Sequence, residues 1–205
     1  MFAVQNCITD PCYRMMQALP PEPSMTPQAL VPIASGSESL ETVTVINLLR
    51  RAGVTVTVAS IEAKLTVAGT RDIALTADVF FRDAAAKEFA LIALPGGETG
   101  AQALAAHAPL VEKLRAQRLA RRWIGGICAA PALTLSPHGL LDGKKATCYP
   151  AFRDKLLHYV DQPVVVDGHC ITSQGPATAL AFALQLVEAL CGTAKRAEIA
   201  KQVLF

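Results

Sequence analysis

Three apolar runs in the sequence each lead directly into residues that could take part in a reaction. The first leads to Glu38, the second to Gly97 within a glycine-rich loop, and the third to Cys128. If these runs are parallel strands, their carboxyl ends share one edge of a sheet, which is where such folds place their sites. A carboxylate, free backbone N–H groups and a thiol are therefore expected to converge at that edge.

Cys128 has the surroundings of a reactive thiol. An apolar run at 123–127 precedes it and small residues follow it, which is the pattern of a nucleophile elbow. A helix is expected over 129–135, and its dipole would stabilise the thiolate, so we expect a low pKa and early oxidation of Cys128. The alternative is an inert buried cysteine, a common role for this residue.

Glu38, Gly97 and Ala129 are the candidate partners of this thiol. Glu38 opens a predicted helix, where it is either a solvated helix-terminal acid or a carboxyl that burial keeps partly protonated and able to move a proton. The N–H groups of Gly97 and Ala129 could hold an oxyanion, whereas the alternative for the glycines at 96–100 is a tight turn that requires glycine. The loop at 96–100 lacks the complete phosphate-binding patterns of nucleotide-binding folds.

Strands and helices alternate in the elements that must position these residues. Apolar and β-branched runs predict strands, and apolar residues three or four positions apart predict helices. Strands are expected at 29–34, 54–59, 89–94, 123–127, 145–148, 164–166 and 170–173, a hairpin at 64–76, and helices at 38–52, 78–87, 109–120, 129–135, 176–191 and 194–204. This order predicts an α/β fold with a doubly wound, mainly parallel sheet.

The length and composition are those of one domain with an N-terminal appendage. The chain has 205 residues, of which 52% are hydrophobic, enough for one well-buried core. Residues 1–25 are rich in proline and methionine and are interpreted as an extension of unknown role, and residues 26–205 as the domain. Two long uncharged stretches contain glycine and proline, which predicts buried strands and helices rather than membrane spans.

The charge and cysteine patterns argue against several classes of partner. The net charge is only +2, and Lys and Arg cluster no further than pairs such as 121–122 and 144–145, so neither a nucleic acid nor a membrane is expected to bind. Six scattered cysteines, with no Cys-x-x-Cys pair and no suitably spaced His, predict free thiols and no metal. We expect a cytoplasmic protein; a mitochondrial location is disfavoured because the first residues are poor in Arg.

The motifs around the candidate residues form a set. They read Gly-Ser-Glu at 36–38, Leu-Pro-Gly-Gly at 94–97, Ile-Cys-Ala-Ala-Pro at 127–131 and Thr-Ser-Gln-Gly-Pro-Ala-Thr at 172–178. This set resembles the ThiJ/PfpI superfamily, in the branch of the Parkinson-disease-associated deglycase. The resemblance implies a flavodoxin-like sandwich of sheet and helices, usually a homodimer, that needs no cofactor.

The same resemblance implies roles for individual residues. Cys128 matches the reactive thiol and Glu38 its protonated partner, with backbone donors at Gly97 and Ala129. Basic residues near the family's site, which could bind an anion, are matched by Arg71 and Arg51.

Tyr149 is a departure from the family pattern, because the best-known members have His at this position. The reference pKa of Tyr is about 10 and that of His about 6.5. Tyr149 could therefore orient a substrate or donate a hydrogen bond, but it is a poor base. This difference bears on the efficiency of turnover more than on thiol reactivity.

Two functions of different classes fit these residues. The first is a cysteine-dependent, cofactor-free enzyme for reactive 2-oxoaldehydes, either a glyoxalase that converts methylglyoxal to lactate or a deglycase. The second is a non-enzymatic redox sensor or chaperone that uses oxidation of Cys128. An intracellular cysteine peptidase is less favoured, because no His pairs with Cys128 in the sequence. The expected partners are a small reactive carbonyl compound and a second copy of the chain, in a setting of oxidative stress.

Overall fold

The structure, a computed structural model, describes residues 26–205. The strands are β1 (Gln28–Ile33), β2 (Thr55–Ser60), β3 (Thr66–Ala68), β4 (Ala74–Thr76), β5 (Val79–Phe80), β6 (Leu91–Leu94), β7 (Trp123–Ile127), β8 (Val164–Asp167) and β9 (Cys170–Ser173). The α-helices are α1 (Ser39–Arg51), α2 (Phe81–Ala84), α3 (Glu98–Ala106), α4 (Ala108–Leu119) and α5 (Ala179–Gln202). The extension predicted at residues 1–25 lies outside the described residues.

Seven of the strands form one sheet in the order β5-β2-β1-β6-β7-β9-β8. All neighbours in this sheet are parallel except β8 and β9, which are antiparallel. Strands β3 and β4 form a separate antiparallel hairpin, as the sequence predicted. The observed fold is therefore the expected flavodoxin-like α/β fold, with a mainly parallel sheet flanked by helices.

The strand order places a crevice beside the candidate site. The chain runs from β1 outward to β2 and β5, and then returns to β6 on the other side of β1. Such a reversal separates the loops that leave the two strands, and ligands bind there at the carboxyl ends of the strands. The loops after β1, β6 and β7 lead to Glu38, Gly97 and Cys128, so the three share this edge.

Glycines in β7 allow helix α5 to pack closely on the sheet. A Cβ at Gly125 would lie 3.0 Å from Cδ2 of Leu186 and 3.1 Å from Cζ of Phe182, tighter than ordinary packing. Leu186 and Phe182 are both fully buried. The apolar strands β6 and β9 are buried along their whole length, as expected for a sheet covered on both faces.

Pro176–Gln202 is the stretch of the described residues that is long and apolar enough to cross a membrane by length and composition alone. Core helices of soluble proteins pass the same test. Gly192 has φ +85° and ψ 167° and breaks the helix. Residues 179–191 then span only about 20 Å at about 1.5 Å per residue, so the segment is better explained as a core helix packed on β7.

Two predicted elements differ in the structure because side chains satisfy backbone groups. The helix expected at 78–87 is instead strand β5 followed by the single turn α2, since the Asp78 carboxylate accepts a hydrogen bond from Val58 N at 2.9 Å and holds the chain against β2. The strand expected at 145–148 is reduced to one bridge between Ala146 and Tyr159. Thr147 N donates there to Thr172 Oγ1 rather than to a neighbouring strand.

The helix expected at 129–135 is shorter than predicted. A π-helix covers only Pro131–Leu135, and a 3₁₀ turn at Ser136–His138 follows it. Pro137 has no N–H to donate and so cannot continue a regular helix. The thiol of Cys128 therefore faces a much weaker helix dipole than the sequence suggested.

Packing of Phe182 between α5 and β7 should dominate the stability of this part of the core. Phe182→Ala should lower the free energy of unfolding by about 3–5 kcal/mol, because it leaves a cavity above Gly125. Leu180→Ala, on the same helix and 39% exposed, should cost less than about 1.5 kcal/mol. Urea unfolding monitored by circular dichroism compares the two, and equal losses would contradict this account of the core.

Candidate active site

Cys128 sits on a sharp turn between β7 and the π-helix. Its φ is +62°, a left-handed conformation that is uncommon for a residue with a side chain. Backbone hydrogen bonds hold this turn: Cys128 N donates to Ser173 O at 2.9 Å, and Cys128 O accepts from Tyr149 N at 2.8 Å. The residue is 9% exposed. The strained turn therefore presents a nearly buried thiol at the carboxyl edge of the sheet, the geometry of a nucleophile elbow.

The carboxyl group in contact with Cys128 is that of Glu41, not that of Glu38. The Glu41 carboxyl and Cys128 lie side by side, because a Cβ placed on Gly96 would meet both Cys128 Cβ and Glu41 Oε2. Glu41 is fully buried, and its Oε2 also accepts a hydrogen bond from Gly96 N at 2.8 Å. The sequence-based assignment of Glu38 as the partner of the thiol is therefore corrected to the residue one helical turn further on.

Glu38 instead caps helix α1. Its Oε2 accepts a hydrogen bond from Glu41 N at 2.9 Å, and its Oε1 accepts one from Thr70 Oγ1 at 2.9 Å. Both carboxylate oxygens are thus engaged with the helix start and with the turn beyond β3. This is the arrangement expected of an acidic N-cap residue.

The sequence carried a signal for Glu41 in its spacing from Glu38. An acid at the N-cap uses its carboxylate on the N–H three residues later, and Glu41 is that third residue. In a complete capping box the Glu41 carboxylate would return to Glu38 N. Here Glu38 N donates to Gly96 O at 3.0 Å, which leaves the Glu41 carboxyl free to reach Gly96 N and the thiol.

Gly96 and Gly97 are required by the close approach of three chain segments. A Cβ on Gly96 would overlap Cys128 Cβ and would lie 2.6 Å from Glu41 Oε2. Gly97 has φ +81°, and a Cβ there would overlap Gly36 O. Glycine thus permits both the left-handed turn and the contact between the acid and the thiol.

The two backbone donors that the sequence singled out lie at the sulfur. The N–H groups of Gly97 and Ala129 lie near the Cys128 thiol, and both lower its pKa. Gly97 immediately precedes α3, and Ala129 follows the elbow, so the two donors come from different loops. An oxygen attached to the sulfur, or to a carbon bonded to it, would lie within reach of them.

Burial dominates the electrostatics of the pair formed by Glu41 and Cys128. Removal from water raises the pKa of the Glu41 carboxyl to about 7, opposed by its hydrogen bond from Gly96. Burial also raises the pKa of the Cys128 thiol to about 12, and the negative charge of Glu41 adds to this rise. The prediction of a low pKa for Cys128 is therefore wrong, because burial and the charge of ionised Glu41 both raise it.

The two groups are nevertheless coupled through one proton. When Glu41 is protonated, its charge no longer opposes the thiolate, and its O–H can donate to the sulfur. The N–H groups of Gly97 and Ala129 also favour the thiolate. The protonation state of Glu41 therefore controls how readily Cys128 loses its proton.

Tyr149 is linked to the elbow through its backbone. Its N–H donates to Cys128 O, and a Cβ on Gly175 would lie 3.4 Å from Cδ2 of its ring. The residue is 45% exposed, so the phenol stands in contact with solvent. The exposed phenol of Tyr149 can therefore contact a ligand at the site, whereas Glu41 is the group beside the sulfur whose pKa lies near neutrality.

The two basic candidates lie in different places. Arg71 has φ +59° in the turn at Thr70–Asp72, next to the residue that bonds Glu38. Arg51 lies in the last turn of α1, bonded to Asn47 and about 15 Å along the helix from Glu41 at about 1.5 Å per residue. The fold therefore places Arg71 beside the loops of the site and Arg51 away from it.

Three of the four histidines in residues 26–205 make contacts away from Cys128. His107 caps α4 through Nδ1, His138 bonds Ala105 O, and His169 packs on Trp123. In residues 26–205, no group of three or more His, Cys, Asp or Glu is arranged to hold a metal ion. The groups gathered at Cys128 are thus a carboxyl and two backbone donors.

The mainly parallel sheet, flanked by helices and with a cysteine on a sharp elbow beside a buried acid, defines a flavodoxin-like α/β protein. Residues 27–189 match the model of the DJ-1/PfpI family. The chain belongs to the DJ-1/PfpI family, within the ThiJ/PfpI superfamily.

Known relatives agree with this assignment. Protein DJ-1 homolog B of Arabidopsis thaliana is 46% identical over 181 residues, which are 87% of this chain but only 41% of that protein. This chain therefore spans less than half of that relative. The Caenorhabditis elegans protein named glutathione-independent glyoxalase DJR-1.2 is 34% identical over 171 residues, covering 80% of this chain and 89% of that protein. The solved structure of oxidized DJ-1 from Toxoplasma gondii superposes with a TM-score of 0.87 at 37% identity, covering 88% of this chain and 99% of that chain.

The raised pKa of Glu41 should make stability depend on pH. The folded state holds its proton up to about pH 7, whereas the unfolded state loses it near the reference value of 4.5. The protonated Glu41 carboxyl therefore contributes its full stabilisation below pH 4.5. This stabilisation, on the order of 3 kcal/mol, is lost as the pH rises to about 7. Relative to wild type, Glu41→Gln should therefore gain stability over this range.

Urea unfolding of both proteins between about pH 4.5 and pH 7.5 measures the effect, since it covers both pKa values. Glu112→Gln, which alters an exposed acid paired with Arg115, serves as the control and should run parallel to wild type. A constant difference between wild type and Glu41→Gln would contradict the assignment.

Proposed function

We propose that this chain is a cysteine-dependent glyoxalase that needs no cofactor and converts small 2-oxoaldehydes such as methylglyoxal into 2-hydroxy acids. The observation that carries the proposal is the contact between Cys128 and Glu41, a nucleophile beside a carboxyl whose pKa is about 7. A group that titrates near the working pH is suited to both taking up and returning a proton. The name of the Caenorhabditis elegans relative supports the same activity.

The first step uses the elbow and the backbone donors. The Cys128 sulfur adds to the aldehyde carbon of methylglyoxal, and the thiol proton passes to the aldehyde oxygen, which gives a hemithioacetal. Gly97 and Ala129 N–H groups, which lie at the sulfur, stabilise negative charge as it develops on that oxygen.

The second step uses Glu41. Its carboxylate removes the proton from the former aldehyde carbon, and the ketone oxygen takes up a proton, which forms an enediol. Glu41 then returns its proton to the former ketone carbon, while the hydroxyl group on the former aldehyde carbon loses its proton and replaces the one that the ketone oxygen took up. The product is a lactoyl thioester on Cys128, which one water molecule hydrolyses to lactate and the free thiol. These steps add one water overall and involve no net oxidation or reduction.

A redox role for the same thiol is the second candidate. Glu41 Oε1 is buried and has no hydrogen-bond partner among the described residues. A protonated carboxyl there could donate to an oxygen added to the Cys128 sulfur, and Gly97 and Ala129 could donate to another. The relative from Toxoplasma gondii was solved in a form described as oxidized.

A homodimer is part of the proposal, and the surface of helix α1 supports it. Leu40 and Val43 are 53% and 52% exposed, although they are large apolar residues. Ile46, one turn beyond Val43, is only partly buried against the core. This apolar strip could pack against its own copy across a two-fold axis.

The activity assay separates the roles of the two acids. Cys128→Ala should abolish lactate formation from methylglyoxal, and Glu41→Gln should reduce kcat by about 10²–10⁴-fold, the usual value of general acid–base catalysis. Glu38→Gln is the matched control: its amide oxygen can still cap α1, so the loss should stay below about tenfold. Lactate formation by Cys128→Ala at the wild-type rate would contradict the proposed cysteine-dependent glyoxalase activity and leave the redox role as the remaining candidate.

The oligomeric state is tested by sedimentation at micromolar concentration. Wild type should sediment as a dimer, and Val43→Asp should yield monomer because it places a charge in the apolar strip. Leu119→Asp, at a residue that is 85% exposed on α4, should leave the dimer intact. A monomeric wild-type protein would refute the dimer.

A further inference from the structure

A basic cleft lies at the edge of the sheet opposite Cys128. It opens beside Ile124 and Cys170, which begin the buried parts of strands β7 and β9, and it has a volume of about 270 Å³. Cys128 follows the other end of β7, about 13 Å away at about 3.3 Å per residue. The cleft is therefore separate from the candidate active site.

Four permanent cations line this cleft. They are Arg118 at the end of α4, Arg121 and Arg122 in the following turn, and Lys144 in a loop, against the single carboxylate of Asp142. Their formal sum is +3, while the whole chain carries only +2. The fold thus brings Lys144 beside three arginines that lie more than twenty positions earlier in the sequence, and it concentrates their positive charge in one cleft.

Three of these cations have no carboxylate partner among residues 26–205. Arg122 pairs with Glu88 at 2.8 Å, but Arg118, Arg121 and Lys144 form no ion pair within this part of the chain. Lys144 Nζ donates only to a backbone carbonyl, that of Asp167, at 3.2 Å. Like charges held together without counter-charges repel one another, and an anion would relieve that repulsion.

The backbone around the cleft is shaped to hold these groups in place. Arg121 has φ +54°, a left-handed conformation that turns the chain sharply after α4. Gly168 has φ +60°, and a Cβ there would lie 3.0 Å from Lys144 Nζ, so glycine lets the ammonium group lie over the turn. Burial raises the pKa of the Cys170 thiol; the charges of Lys144 and Arg118 oppose this rise, and the Asp167 carboxylate adds to it.

We propose that this cleft binds a small phosphate-bearing anion. Guanidinium groups match the oxygens of phosphate with paired hydrogen bonds, and several converging cations suit a dianion better than a single carboxylate. The volume exceeds that of one inorganic phosphate, so a phosphomonoester of a small molecule fits as well. The cleft lies far from the Cys128 thiol, so its ligand is distinct from the substrate of Cys128.

The single tryptophan of the chain is a built-in reporter of this cleft. Trp123 packs against His169 with a ring-centroid distance of 5.2 Å, and His169 lines the cleft. Binding should therefore change the tryptophan fluorescence. The experiment titrates the full-length protein with inorganic phosphate, glycerol phosphate or acetate in chloride buffer at constant ionic strength.

Phosphate and glycerol phosphate should give saturable changes, and acetate should not. Arg121→Asn removes a charge yet suits the left-handed backbone, and Lys144→Gln keeps a donor for Asp167 O. Each should weaken binding by about tenfold or more, the value of a charge-assisted hydrogen bond. Arg115→Gln, on α4 outside the cleft and paired with Glu112, is the matched control and should bind as wild type does.

Calorimetry on the same samples checks that the fluorescence change reports binding, and melting in chloride buffer checks that the variants fold. Tighter binding of glycerol phosphate than of phosphate would identify a phosphomonoester as the ligand, and the reverse would identify the free ion. The proposal is overturned if neither gives saturation, if Arg115→Gln weakens binding as much as Arg121→Asn, or if a single-stranded oligonucleotide saturates the cleft and the small phosphates do not.

Discussion

The site depends on a reciprocal pair of hydrogen bonds between the start of helix α1 and the peptide at Gly96. Glu38 N donates to Gly96 O at 3.0 Å, and Gly96 N donates to Glu41 Oε2 at 2.8 Å. The pair fixes the loop after β1 against the loop after β6, and it does so with groups that burial would otherwise leave unsatisfied. It also holds the Glu41 carboxyl at the thiol of Cys128.

This constraint explains why two acids one turn apart behave differently. Glu38 is partly exposed, and its two carboxylate oxygens accept hydrogen bonds from the start of helix α1 and from Thr70, so its role is structural. Glu41 is buried with one oxygen on Gly96 and the other without a partner among the described residues, so its charged form is costly. Position relative to the helix cap, rather than residue type, thus decides which carboxyl is available for chemistry.

The sequence predicted the fold and the elbow at Cys128 well because both rest on strong local patterns. Apolar runs gave the strands that flank the site, and small residues around 128 gave the elbow. The spacing of Glu41 from Glu38 marks a capping position, but the placement of the Glu41 carboxyl at the thiol depends on a contact with Gly96, which lies more than fifty residues away and which no local pattern shows. The pKa of Cys128 was misjudged for the same kind of reason, because burial and a neighbouring acid outweigh the dipole of a five-residue π-helix.

The central claim is that Glu41 is a carboxyl that titrates near neutrality in direct contact with Cys128. Infrared difference spectra across the titration, recorded between about pH 5 and pH 9, measure this directly, since a protonated carboxyl has a C=O band that the carboxylate lacks. We expect a band that disappears with a midpoint of about 7, that is missing in Glu41→Gln and that shifts in frequency in Cys128→Ala. A spectrum in which Glu41→Gln and wild type are identical would contradict the account.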